Sequence, residues 1–113
     1  MIWLQISAIV MVLTGIGHST YAYRRFLLPL LTGPEPAPHL NAINKYSWHG
    51  VGFFMVLNGA MVAWPQTPSL IVTISGLFWI AMGIADLVIA RGKHVAWVLL
   101  VAAGATSLIG TQT

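Results

Sequence analysis

The stretch LIVTISGLFWIAMGIADLVIA, residues 70–90, followed at once by Arg91-Gly92-Lys93, decides how this chain folds. At about 1.5 Å per helical residue it is long enough to cross a hydrocarbon core of about 30 Å. Its one charged side chain is Asp86, and it stops against basic residues. Three similar apolar runs accompany it, at residues 2–22, 48–64 and 95–109. The pattern predicts an all-α fold, an integral membrane four-helix antiparallel bundle made as a single transmembrane domain over residues 1–113. Only Arg91-Gly92-Lys93 separates the last two spans, so they form a tight hairpin, with Gly92 supplying a turn conformation that costs other residues energy.

The basic residues set the orientation. Arg24, Arg25 and Lys45 lie in a long loop over residues 24–47, and Arg91 and Lys93 in the loop after the third span. Pro65-Gln66-Thr67-Pro68 and both chain ends carry no charged side chain. The positive-inside rule then places loops one and three in the cytoplasm and both termini outside, in what is expected to be a bacterial inner membrane. The first run lacks the basic start and cleavage site of a secretory signal, so it is expected to be a mature helix.

Composition narrows the function classes. With 58% hydrophobic and 6% charged residues, the chain needs lipid, further copies of itself or partner membrane subunits to cover its surface. Without cysteine, disulfides, thiolate metal sites and a cysteine nucleophile are excluded. The net charge of +3 is accounted for by orientation and anionic headgroups, and no nucleic-acid motif is present. No G-x-S-x-G, phosphate loop or H-E-x-x-H occurs either.

Trp3 and Trp64 are expected at the outer interface, and Trp48 and Trp97 at the inner one. Trp79, near mid-span, needs an acceptor or a cavity for its N–H. Residues 32–38, rich in proline, read as an extended strap that carries an exposed His39, and the first helix is expected to run beyond the membrane until Pro29 or Pro34 stops it. A weak repeat aligns Thr14 to His18 with Met82 to Asp86, and His49 with His94, each followed ten residues later by Gly-Ala. Either the chain contains two repeated helical hairpins or common small residues match by chance.

The candidate site gathers His18, His49, His94 and Asp86 at the cytoplasmic end. At 100° per residue, His18 shares a face with Ser7, Met11, Thr14 and Arg25, and Asp86 with Ser75, Trp79, Met82 and Ala90. His49 lies in line with Gly52, Val56, Ala60 and Ala63, and His94 with Val98, Val101 and Ala105. An ionised Asp86 in hydrocarbon costs about 2.5–3.5 kcal/mol, so it calls for a partner among His18, His94 and Arg91, or for water. Asn58 suits interhelical hydrogen bonding.

Gly15, Gly17, Gly50, Gly52 and Gly83 lie close to these groups and leave room for a flat ligand, unless they serve ordinary helix packing. Haem b fits, with two imidazoles as axial ligands and basic residues at the propionates. So does a divalent metal ion on His18, His49, His94 and Asp86, whose nitrogen and oxygen donors suit zinc, iron or nickel. The expected function is cofactor binding, with Trp79, Gly15 and Gly52 completing the pocket. Rival readings are a structural subunit of a larger assembly, and a small quinone-site or proton-coupled transport protein using His18 and Asp86.

Overall fold

The computed structural model describes residues 2–33 and 38–113, and every regular element among them is helical. The first rod is α1 (Ile2–Gly17), which continues unbroken into a π-helix (His18–Leu27) and a last turn, α2 (Leu28–Leu31). Then follow α3 (Pro38–Ala63), α4 (Ser69–Ile89) and α5 (Ala96–Gln112). Two of these rods, Ile2–Leu31 and Ser69–Ile89, are long and apolar enough to cross a membrane. At 17 residues, α5 reaches about 26 Å.

The region 24–47, expected as a loop, is helical over most of its described residues. Counting apolar runs ends a span at its first polar cluster, whereas backbone hydrogen bonding continues as long as no residue forbids it. His39, Asn41, Asn44 and Lys45 alternate with Leu40 and Ile43 along the first turns of α3, and Pro38 occupies a helix start, where its missing N–H does no harm. His39 is thus an exposed first-turn residue of a helix. The expected strap reduces to a turn at Thr32 and Gly33, and its residues 34–37 lie outside the described part. Across this connection the Asn41 side-chain amide donates to the Leu31 carbonyl at 3.0 Å, satisfying an end of the first rod.

Pro29 does not stop the first rod; the helix widens ahead of it. In an α-helix a proline ring clashes with the carbonyl four residues earlier and offers it no N–H. Here the backbone upstream follows π register, with the Leu28 N–H donating to Tyr23 O, so the local geometry has already changed where Pro29 enters.

At the other end of this hairpin a turn at Trp64–Pro68 leads into α4, with the Thr67 hydroxyl donating to Met61 O at 2.6 Å. Between α4 and α5 the turn needs a left-handed backbone at both Arg91 (φ 52°) and Gly92 (φ 74°). Gly92 adopts this freely and donates its N–H to Leu87 O at 3.0 Å, closing the end of α4; Arg91 does so at a cost.

Packing is organised as two antiparallel hairpins, α1 with α3 and α4 with α5, joined chiefly along α1 and α5, whereas α3 and α4 touch little. Within each hairpin the backbones approach closely at small residues. A methyl on Gly15 would lie 2.7 Å from Gly52 O, and one on Gly59 would lie 2.8 Å from Ala8 O. In the second hairpin Gly83 abuts Trp97 O, and Gly104 abuts Gly76 O. Under the alignment that matches His18 to Asp86 and His49 to His94, these are the same two contacts. The ridge of α3 that packs runs through Gly52, Gly59 and Val62; the expected Ala60 and Ala63 are exposed.

Ser7, Met11, Val62, Trp79, Ala103 and Ser107 form the buried centre, closed by the Ser7 hydroxyl, which donates to Ala103 O at 2.7 Å and lies 2.6 Å from Ser107 Oγ. On the other seam Asn58 Oδ1 accepts from both the Ser75 hydroxyl and Trp79 Nε1, the latter at 2.8 Å. The indole N–H of Trp79 thereby finds its acceptor.

Candidate functional site at the basic end of the helices

The π-helix, the start of α3 and the α4–α5 turn meet at one end, which also carries Arg24, Arg25, Lys45, Arg91 and Lys93. In π register the backbone pairs residues five apart, so His18 and Tyr23 fall on one side and Leu27 is buried. His18 stacks on Trp48 with ring centroids 4.4 Å apart and planes 12° from parallel. The same indole donates its N–H to the His18 carbonyl at 2.6 Å, gripping both backbone and ring of one residue. One turn on, Tyr23 packs on His49 at 4.6 Å, and Phe26 meets His94 edge-on at 5.3 Å. One helical segment thus contacts both hairpins. Arg25, expected on the His18 face, is exposed, because the 100° step on which that expectation rests does not hold in a π-helix.

Hairpin two holds the second polar pair. His94 Nδ1 lies 2.8 Å from Asp86 Oδ1, the imidazole N–H donating to the carboxylate, with the two side chains 38% and 23% exposed. Open access on the His94 side lets water reach this pair. Two buried polar atoms have no hydrogen-bond partner among the described residues: His18 Nε2 and Asp86 Oδ2. An unpaired buried group of this kind costs about 1–3 kcal/mol until a partner arrives. The two residues are counterparts under the repeat alignment.

Proximity at one end does not become a single cluster. Among the described residues no three of His, Asp and Glu come near enough together to hold a metal ion. Asp86 and His94 pair, while His18 and His49 are each occupied by an aromatic ring on the opposing helix of the first hairpin. Trp79 bonds Asn58 in the body of the helices. The space expected beside Gly15 is filled by the Gly52 backbone, that beside Gly52 by the Ser19 hydroxyl and Gly15 O, and that beside Gly83 by the Val101 side chain and Trp97 O. Gly17 and Gly50 differ, because a methyl on either would meet nothing within 4 Å.

A groove of about 500 Å³ lies beside this stack, lined by His18, Leu27, Asn44, Ser47, Trp48 and Val51. It is shallow and open, its walls mostly apolar, with polar residues contributed by α3 and by His18. Sequence reasoning missed Trp48 as a site residue by assigning it to the interface, and placed neither Tyr23 nor Phe26 in the site. The available signal was an aromatic residue next to each region of imidazole. No family model matches the chain, and neither curated proteins nor solved structures contain a match to it.

Proposed function

We propose that this is an integral membrane protein whose four antiparallel helices, built as two repeated hairpins, bind a flat amphipathic molecule at the inner end, with His18 contacting its polar group. Membrane residence is supported by the outer faces. Ile9, Leu13 and Ile16, Phe53, Phe54 and Leu57, and Ile74, Leu77 and Phe78 are all exposed, an apolar surface well beyond what a monomer keeps in water. Arginines and lysines gather at the inner end, which orients that end toward the cytoplasm and both termini outward. Repetition is supported by the matched pairs Gly15·Gly52 with Gly83·Trp97, and Gly59·Ala8 with Gly104·Gly76.

The observation that carries the ligand reading is the buried, unpartnered Nε2 of His18, a residue that also lines a largely apolar groove. An imidazole so placed suits a planar molecule, in either of two ways. It would supply a nitrogen ligand to the iron of haem b, or hydrogen-bond the edge carbonyl of a quinone head. A metal ion shared by His18, His49, His94 and Asp86 finds less support, since those groups stand apart. The test is the absorbance spectrum of detergent-purified protein, before and after added haemin, together with solvent extraction for quinones. A Soret band or a stoichiometric quinone is expected, and His18→Ala should lose it. A colourless protein that takes up no haemin and yields no quinone ends this reading.

The polar contacts made within the chain, Asp86 Oδ1 with His94 and Asn58 with Ser75 and Trp79, favour a second reading, a structural subunit of a membrane assembly. In that case His18→Ala lowers thermal stability and removes no bound species.

A further inference from the structure

The π-helix has a second face that the ligand groove does not use. Thr20, Tyr21, Arg24 and Arg25, all exposed, border a separate shallow, open depression of about 470 Å³ there. On an ordinary helix adjacent residues diverge, yet Arg24 and Arg25 both border the same space. Thr20 spends its hydroxyl proton on Ile16 O at 2.7 Å, so the donors left to this depression are the two arginines and the Tyr21 phenol, which is exposed. Among the described residues the one ion pair is His94 with Asp86, and no carboxylate reaches Arg24 or Arg25. Two forked cations and a phenol around one depression make a donor set that matches the oxygens of a phosphate group.

We propose that Tyr21, Arg24 and Arg25 form a site for a phosphate group. The site is independent of the His18 groove and rests on the membrane reading only for one of its two phosphate sources, the headgroup of an anionic lipid. The other source is free phosphate.

Delipidated full-length protein is titrated in neutral detergent with phosphatidylglycerol, with phosphatidylcholine and with inorganic phosphate, and bound molecules are counted by native mass spectrometry. At about 1 kcal/mol for each basic residue near the headgroups, Arg24→Gln with Arg25→Gln should weaken phosphatidylglycerol binding about thirtyfold. Lys45→Gln should leave it within about twofold, since at this local site charge elsewhere on the inner end adds little at a Debye length of about 8 Å. Competition by millimolar inorganic phosphate identifies the bare anion as sufficient; its failure to compete, with lipid still bound, identifies the lipid headgroup as the source. Arg24→Lys with Arg25→Lys keeps the charge and should bind more weakly than wild type, as expected where forked geometry matters. The proposal is overturned if neither phosphate source binds, if the double glutamine variant, folded by circular dichroism, binds as wild type does, or if Lys45→Gln weakens binding as much as that variant.

Discussion

The two hairpins share a frame and differ at both seams and at the inner end. On the α1–α5 seam a serine hydroxyl reaches a backbone carbonyl, Ser7 to Ala103 O, and the corresponding position on the α3–α4 seam joins Ser75 to the Asn58 side chain. Where hairpin one has Met11, hairpin two has Trp79. Small groups at the first seam let the helices meet directly, whereas an indole and an amide at the second hold them apart and bridge the gap with hydrogen bonds. One backbone plan therefore yields a closed seam and a propped one. The same substitution logic acts at the inner end, where the counterparts His18 and Asp86 are an imidazole under an indole and a carboxylate paired to His94.

The comparison breaks most readily at the shared backbone contacts. Gly59→Leu and Gly104→Leu should each destabilise the protein by about 3 kcal/mol or more, because the opposing carbonyl cannot yield as a flexible side chain would. Gly17→Ala and Gly50→Ala, which face open space, should unfold within about 0.5 kcal/mol of wild type. Denaturation in mixed detergent followed by circular dichroism measures both. Equal losses at Gly59 and Gly104 would sharpen the likeness of the hairpins; a harmless Gly104→Leu would end it.

Next in size is the propped seam. Asn58→Leu strands the Ser75 hydroxyl and the Trp79 N–H together, and the same unfolding assay should record a loss of about 1–3 kcal/mol. Trp79 fluorescence should shift as its N–H loses its acceptor, best read in a variant with the other tryptophans replaced by phenylalanine. A smaller loss than at Asn58 is expected from Ser7→Ala, about 0.6 kcal/mol, since removing one hydroxyl leaves the α1–α5 contact otherwise intact. Should Ser7→Ala cost more than Asn58→Leu, the assignment of closed and propped seams is reversed.

Much of the frame can be read from residue order, and the site much less. Apolar run lengths foresaw the four rods, and the Arg91-Gly92-Lys93 turn foresaw the tight second hairpin. Helix ends were less legible: polar side chains in residues 39–47 hid the early turns of α3. The first rod's register was not legible at all beyond Gly17, since no residue pattern announces a π-helix and every face assigned at 100° per residue drifts once it begins. That is why Arg25 was placed beside His18 and why Tyr23 and Phe26 were not placed in the site. Gly15 and Gly52 illustrate a different difficulty. A small residue beside a histidine leaves space in one dimension, and only the neighbouring helix decides whether that space is filled.

By itself the chain's order of residues determined that helices form, how many, which way they alternate and at which end the ionisable groups gather, because these follow from length, hydropathy and charge along one dimension. Tertiary structure alone decided that His94 takes Asp86, that Trp48 covers His18, and that Asn58 spans the looser seam. Such pairings depend on the rotation and separation of helices distant in sequence, set by side-chain volumes that no periodicity encodes.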